Sequence, residues 1–287
     1  MIIVSVVCLT YNHAPYIRQC LDGFVMQKTN FRYEVIIHDD ASTDDTPSII
    51  KEYVQIYPDL FIPILQKENQ YSQHVKIGDT FIYPICKGKY IAYCEGDDYW
   101  TDPDKLQRQV DFLDAHSEYA AVAENGLVQN SVNNTEYPFN PDPSHDIELE
   151  EAITKRRFPT AGMLLRKETL DGFNETCRYN IDTLLWCWII SKGRLRYENI
   201  ISSVYRKGAQ GMTVYTEPYQ LAKTAQAWNL EILRVFNVEK DFMYAHIAKS
   251  YFDCAKSSLR RLHIRSLCKC MYFWCVFKLK SMQSKIC

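Results

Sequence analysis

The sequence predicts an α/β fold with a mainly parallel sheet flanked by helices, followed by a helical C-terminal extension. Three observations carry this reading. Residues 2–9, 33–37 and 90–94 are apolar runs rich in β-branched and aromatic residues, the pattern of strands buried on both faces. Each is followed by a segment with helical spacing, and alternating strands and helices imply a parallel sheet. Each run also ends in polar or acidic residues, and parallel sheets bind ligands at the carboxyl ends of their strands.

Taken in order, residues 2–9 form the first strand, which ends in Thr10, Tyr11, Asn12 and His13. Ile17, Leu21, Phe24 and Val25 then mark a helix over 15–27. The strand over 33–37 runs into Asp39, Asp40, Asp44 and Asp45, and a helix follows from Thr46 with Ser42 or Asp44 as its cap. Residues 61–65 suggest a short strand, 66–73 a loop, and 77–85 a helix closed by Gly88. After the strand over 90–94, Pro103 opens a helix through Leu106, Val110 and Leu113. Residues 119–128 read as a strand, and the Asn-, Pro- and Ser-rich 130–146 as a loop. A short helix over 147–154, a strand over 160–166, a helix over 182–191 and a strand over 195–205 complete the sheet region. Helices are expected over 218–237 and 243–262, then a basic one over 259–285.

A chain of 287 residues fits one large domain with an appendage, here an α/β domain over 1–215 and a helical extension over 216–287. The formal charge of −2 gives no footprint for nucleic acid. Eleven irregularly spaced cysteines and no leading signal pattern point to reduced thiols and a cytoplasmic setting. No pair of CxxC motifs suggests structural zinc. The apolar start is too short to span a membrane. Two readings stay open for residues 259–285. The helix packs back on the protein through Tyr272, Phe273, Trp274, Val276 and Phe277, or it lies on the anionic inner membrane face with Arg260, Arg261, Arg265, Lys269, Lys278 and Lys280 at the headgroups.

The densest chemistry lies in residues 89–100, KYIAYCEGDDYW. Glu95, Asp97 and Asp98 crowd three carboxylates at the mouth of a buried strand. Solvent, a cationic side chain or a metal must relieve their repulsion, and oxygen ligands of this kind suit magnesium or manganese. An acidic turn that merely ends a strand is the alternative. Asp182, read alone, is a helix N-cap.

Four segments in order resemble the family 2 inverting glycosyltransferases of the GT-A nucleotide-diphospho-sugar transferase fold. They are VSVVCLTYNHAPYIRQCLDGFVMQ, YEVIIHDDASTDDT, GKYIAYCEGDDYWTDPDKLQRQVDFL, and DGFNETCRYNIDTLLWCWIISKG with SVYRKGAQGMT behind it. The resemblance implies that Thr10, Tyr11 and Asn12 line the nucleotide pocket and that Asp40 accepts a hydrogen bond from the base, often uracil. By the family's DxD-type signature, Asp97 would face the ribose or sugar. Asp98 would hold Mn2+ or Mg2+, with Glu95 as a helper. Asp182 would be the general base on the acceptor hydroxyl. The implied partners are a nucleotide diphospho-sugar, in particular a UDP-sugar, and a glycan or lipid-linked acceptor of cell-surface polysaccharide synthesis. Two positions depart from the family: Ile181 precedes Asp182 where an acid is common, and Lys207-Gly208-Ala209-Gln210 follows Tyr205-Arg206 where a His often stands. Those departures keep a non-catalytic nucleotide-sugar-binding scaffold as an alternative. A nucleotidyltransferase fits less well, because LTYNHAPY lacks a glycine-rich loop.

Overall fold

The computed structural model describes residues 1–179, 181–208, 217–261 and 263–284. The domain boundary expected at residues 215 and 216 lies outside the described residues, as do Ala209 and Gln210. The chain divides into two compact units, residues 1–173 with 188–208, and residues 174–187 with 209–287.

The first unit holds the sheet. Its elements are β1 (Ile2–Thr10), α1 (Ile17–Val25), β2 (Arg32–Asp39), α2 (Thr46–Ile56), β3 (Phe61–Leu65), β4 (Tyr90–Tyr93), β5 (Tyr99–Trp100), α3 (Lys105–Ala115), β6 (Tyr119–Asn130), β7 (Thr135–Pro138), β8 (His145–Asp146), α4 (Leu149–Thr154) and β9 (Met163–Arg166). Beyond β9 come α5 (Phe173–Thr176), α6 (Asp182–Lys192) and β10 (Arg194–Lys207). The strand order is β3-β2-β1-β4-β9-β6-β10-β5, with β7 on β6 and β8 on β10. β3, β2, β1 and β4 run parallel, whereas β9 is antiparallel to both β4 and β6. The sheet is therefore mixed, with its parallel pairings among the longest.

This order fixes where a ligand can sit. The chain builds outward from β1 to β2 and β3, then returns to place β4 on the other side of β1. Such a reversal opens a crevice beyond the carboxyl ends of the two central strands. Thr10 pairs with Asp39 and Val7 with Tyr93, so the three polar strand ends stand side by side.

Three expectations are corrected. Residues 130–146 are not all loop. β7 folds back on β6 as a hairpin, its corner helped by Asn134 in the left-handed region at φ 52°. β7 is exposed throughout, which is why its composition looks like a loop. Residues 77–85 form only a wide turn over Gly78–Ile82 in place of a full helix. Residues 160–166 begin with a tight turn, Thr160–Gly162, before β9 starts.

The core beneath the acidic motif contains a buried cation. Lys105 is fully buried, its Nζ donating to Gln109 Oε1 at 2.7 Å and lying 4.8 Å from the centre of the Trp100 ring. Burial holds its pKa down at about 8, opposed by the charge of Glu124. Gln109 donates onward to the Gly162 carbonyl, and Trp100 Nε1 to that of Ala161. Trp100 also meets Phe24 edge-on at 4.9 Å. The residues that follow the motif are thus clamped to α1 and to the turn before β9.

The second unit is helical: α7 (Pro218–Val235), α8 (Lys240–Arg260) and α9 (Ile264–Gln283), together with the segment that begins α6. Tyr251 of α8 stacks on Phe273 and Phe277 of α9, with ring centres 5.2 and 6.1 Å apart. Phe252 of α8 lies against Trp274. Among the described residues no helix is long and apolar enough to cross a membrane.

Candidate active site

Beyond β1 the chain turns sharply. Asn12 takes φ 56°, and its side chain and backbone bolt this turn to the loop after β2. The Asn12 backbone N–H donates to Ser42 Oγ at 2.8 Å, and Asn12 Oδ1 accepts from the Thr43 N–H at 2.8 Å. Thr10 is buried, while Tyr11 is exposed. His13 donates its backbone N–H to Thr46 Oγ1 at 2.9 Å.

Beyond β2 the two aspartates are heavily bonded. Asp39 accepts from the Ser42 N–H at 3.0 Å and from the Ser42 hydroxyl at 2.5 Å. Asp40 accepts from the backbone N–H groups of Gln70 at 2.7 Å and Tyr71 at 3.0 Å. Each Asp40 oxygen keeps a second lone pair for a donor such as an imide N–H.

Beyond β4 comes the cluster. One carboxylate oxygen from each of Glu95, Asp97 and Asp98 lies within 4.8 Å of the others. Asp98 is 3% exposed, and Asp97 and Glu95 are progressively more open. Burial, then the charges of Asp97 and Glu95, push the Asp98 carboxyl well above the usual carboxylate range. The backbone N–H of Arg206, at 2.8 Å from Asp98 Oδ1, and the charge of Arg156 oppose this only in part. Gly96 allows the close packing of this loop on the first. A Cβ there would come within 2.8 Å of Thr10 Oγ1 and 2.9 Å of His13 Nδ1.

Oxygen-only donors at this spacing, with one buried carboxyl that stays raised despite the Arg206 N–H and the charge of Arg156, fit a hard divalent cation such as Mg2+ or Mn2+. The histidine nearby adds little positive charge. His13 Nε2 is 4.0 Å from Asp97 Oδ2, but burial lowers its pKa from the ordinary value, leaving it mostly neutral at pH 7.

The structure therefore brings Thr10, Asn12, Asp40, Glu95, Asp97 and Asp98 to neighbouring strand ends. Two residues gain weight that their sequence context did not show. Arg206, on β10, places its guanidinium over the Tyr99 ring at 4.3 Å and donates from Nη1 to the Asp97 carbonyl at 2.6 Å. The Tyr-Arg at the end of β10 was its only signal. His13 faces the cluster from a loop that reads as a simple turn. Lys207 is exposed at the end of β10. Asp182 is the exposed first residue of α6 and belongs to the second unit.

Comparison with known proteins gives a consistent pattern. The model of glycosyl transferase family 2 matches residues 5–173. An uncharacterized protein of Mycobacterium tuberculosis is 53% identical over 115 residues, which is 40% of this chain. The match spans only 32% of that relative's length. The UDP-Glc:α-D-GlcNAc-diphosphoundecaprenol β-1,3-glucosyltransferase WfaP of Escherichia coli is 26% identical over 207 residues, 72% of this chain and 78% of that one. Among solved structures, residues 1–349 of S. aureus TarS in complex with UDP-GlcNAc align with a TM-score of 0.66 at 16% identity, covering 98% of this chain and 92% of that one. The mannosyltransferase PcManGT of Pyrobaculum calidifontis, in complex with GDP-Man and Mn2+, aligns with a TM-score of 0.57 at 16% identity, covering 99% and 86%. These structural likenesses establish the GT-A fold.

Proposed function

Because the chain belongs to glycosyl transferase family 2, we propose that it is an inverting transferase. It moves a sugar from a UDP-sugar to an acceptor hydroxyl in the synthesis of a cell-surface polysaccharide or lipid-linked glycan. The observation that carries this reading is the cluster of three carboxylate side chains, one of them buried, at the crevice beyond β1 and β4. The UDP-sugar donor named for the E. coli relative and the UDP-GlcNAc bound to TarS support the choice of base.

In this proposal Thr10, Tyr11 and Asn12 line the nucleoside pocket. Asp40 accepts the base N–H through its unused lone pairs. Asp97, the more open of the paired aspartates, accepts from ribose or sugar hydroxyls. Asp98 and Glu95 hold Mn2+ or Mg2+. A bound divalent cation supplies neutralisation of the diphosphate charge that grows as the sugar is released. Asp182 takes the proton of the acceptor hydroxyl, whose oxygen attacks the anomeric carbon in a single displacement and inverts it. The protein works in the cytoplasm, at the inner membrane face where a lipid-linked acceptor would be presented.

The test is titration of the purified protein with UDP, GDP and their sugars, with Mn2+ or with chelator. Binding of uridine nucleotides that needs the cation is expected, with a product of inverted anomeric configuration by NMR. Binding of no nucleotide under either condition would remove the proposal. Cation-dependent binding without any turnover on candidate acceptors would favour the scaffold reading.

A further inference from the structure

The C-terminal helix has two faces, and the split is not the one its composition suggests. The aromatic block looks like a lipid-facing patch, yet Phe273, Trp274 and Phe277 are turned onto α8. Ser266, Cys270 and Ser281 share that buried side. The opposite side carries Ile264, Cys268, Met271, Cys275, Leu279 and Met282, all exposed. Ile264 is 72% exposed, Leu279 59% and Met282 56%. Their spacing of three and four residues places them on one stripe along the helix. The exposed Tyr272 borders it. A helix of 20 residues extends about 30 Å, so the stripe is long but lies on one side only.

The helix's own charges are of one sign. From residue 260 to the chain end there is no Asp or Glu, whereas Arg260, Arg261, Arg265, Lys269, Lys278 and Lys280 fall within or beside the helix. Lys269 and Lys280 lie with Nζ near the aromatic rings of Tyr219 and Phe277, at 4.9 and 5.3 Å. An exposed apolar stripe on a helix whose own charges are all cationic has two natural occupants: a second copy of the same helix or an anionic lipid surface. The charges decide between them. Two copies pairing along the stripe would bring Arg265 and Lys278 of both helices together, and the helix itself has no carboxylate to offset them; Glu217, beside it, accepts from Ser266 on the buried side. An anionic surface meets the same cations favourably while the acyl region takes the stripe.

We propose that α9 lies in the plane of an anionic membrane, with Ile264, Met271, Leu279 and Met282 inserted and the flanking cations at the headgroups. The aromatic block remains inside the helical unit. This inference does not depend on the transferase reading, and its test uses no activity.

Cys268 and Cys275 are exposed thiols on the stripe and serve as reporters. In the full chain carrying Cys254→Ser and Cys287→Ser, an environment-sensitive nitrobenzoxadiazole dye is attached to either thiol in turn. Vesicles of phosphatidylcholine containing phosphatidylglycerol, whose headgroups give a negative surface, are then added. The dye emission is expected to shift to shorter wavelength and to be quenched by doxyl-labelled acyl chains. Leu279→Glu and Met271→Glu, both exposed positions, should weaken vesicle binding at least about tenfold with an unchanged thermal melt. Replacing one of Arg265 or Lys278 with Gln should weaken it about fivefold. No spectral change at any lipid concentration overturns the proposal. So does equal binding to pure phosphatidylcholine. A change that follows protein concentration without lipid assigns the stripe to a second copy, and also overturns it.

Discussion

The ends of β2 and β4 each present adjacent aspartates, and the chain treats the two pairs in opposite ways. Asp39 and Asp40 receive four hydrogen bonds from the chain itself, through Ser42, Gln70 and Tyr71. Their charge is spent on holding two loops in place. Asp98 is as deeply buried but receives one backbone N–H, from Arg206, and faces Asp97 and Glu95. The Arg206 N–H and the charge of Arg156 offset burial and crowding only in part. A carboxylate held by backbone donors keeps its charge and braces its loop, whereas one crowded by like charges is drawn toward an external cation or a proton. The same dipeptide is thus internally satisfied in one loop, with spare lone pairs on Asp40, and crowded by like charges in the next.

The largest expected effect breaks the β4 side of this comparison. Asp98→Ala should lower sugar transfer by about 10³-fold or more and abolish the cation dependence of UDP binding. Stability should move the other way. In chelator, Asp98→Asn should melt at or above the wild-type temperature, because one of three crowded charges is gone. Wild-type protein should gain stability on adding Mn2+ and the variant should not. A loss of stability in chelator would mean that the cluster is satisfied internally, and the contrast with β2 would fail.

Asp182→Asn probes the demand from the acceptor side. Turnover should fall by about 10²- to 10⁴-fold, with UDP affinity in Mn2+ unchanged by calorimetry. A joint loss of binding and turnover would make Asp182 part of the donor site instead of the base.

The β2 side should respond as a bolt. Asp39→Ala removes the acceptor for both the N–H and the hydroxyl of Ser42, and should cost about 1–3 kcal/mol in urea unfolding. That cost should be the same with Mn2+ and with chelator. A cost that grows in Mn2+ would place Asp39 among the cation's ligands.

Much of this was open to reading from residue order. Apolar runs ending in polar residues announce strands and their loaded ends, and EGDD is dense enough to announce a cluster. What composition cannot convey is which donors reach which acid. The Ser42, Gln70 and Tyr71 groups that quiet Asp39 and Asp40 are mostly backbone N–H groups, which every residue carries. Arg206 lies more than a hundred residues from Asp98 and meets it through a backbone N–H, so no local pattern points to it. Direction is equally hidden. MLLR of β9 has the same apolar content whether it runs with β4 or against it, and only the topology inserts it antiparallel between β4 and β6. On α9 the aromatic residues cover about half of the helix circumference, and the partner α8 decides which of them turn inward.

A third carboxylate sharpens the rule with a smaller effect. Glu231 on α7 is 3% exposed, like Asp98, yet it resembles the β2 pair in having donors. It accepts from Arg234 Nη2 at 2.6 Å, from Arg234 Nε at 3.0 Å and from the Arg178 backbone N–H at 2.9 Å. Arg234 also donates to the Thr176 carbonyl at 2.6 Å, so the pair ties the start of the 174–187 segment to α7. Hydrogen bonding from Arg234 holds the Glu231 carboxyl down at about 2, against burial. A carboxyl lowered in the folded state contributes stability above its unfolded pKa and loses it as pH falls through the folded value. The stability gap between wild type and Glu231→Gln should therefore be full at pH 7 and at pH 5. It should close as pH falls from the ordinary carboxylate range toward 2. Chemical unfolding of both proteins across that window measures it. A gap that stays constant to pH 2 would mean that packing, not the bonded charge, is what Glu231 contributes. Burial with donors and burial without them would then no longer separate structural from functional acids in this chain.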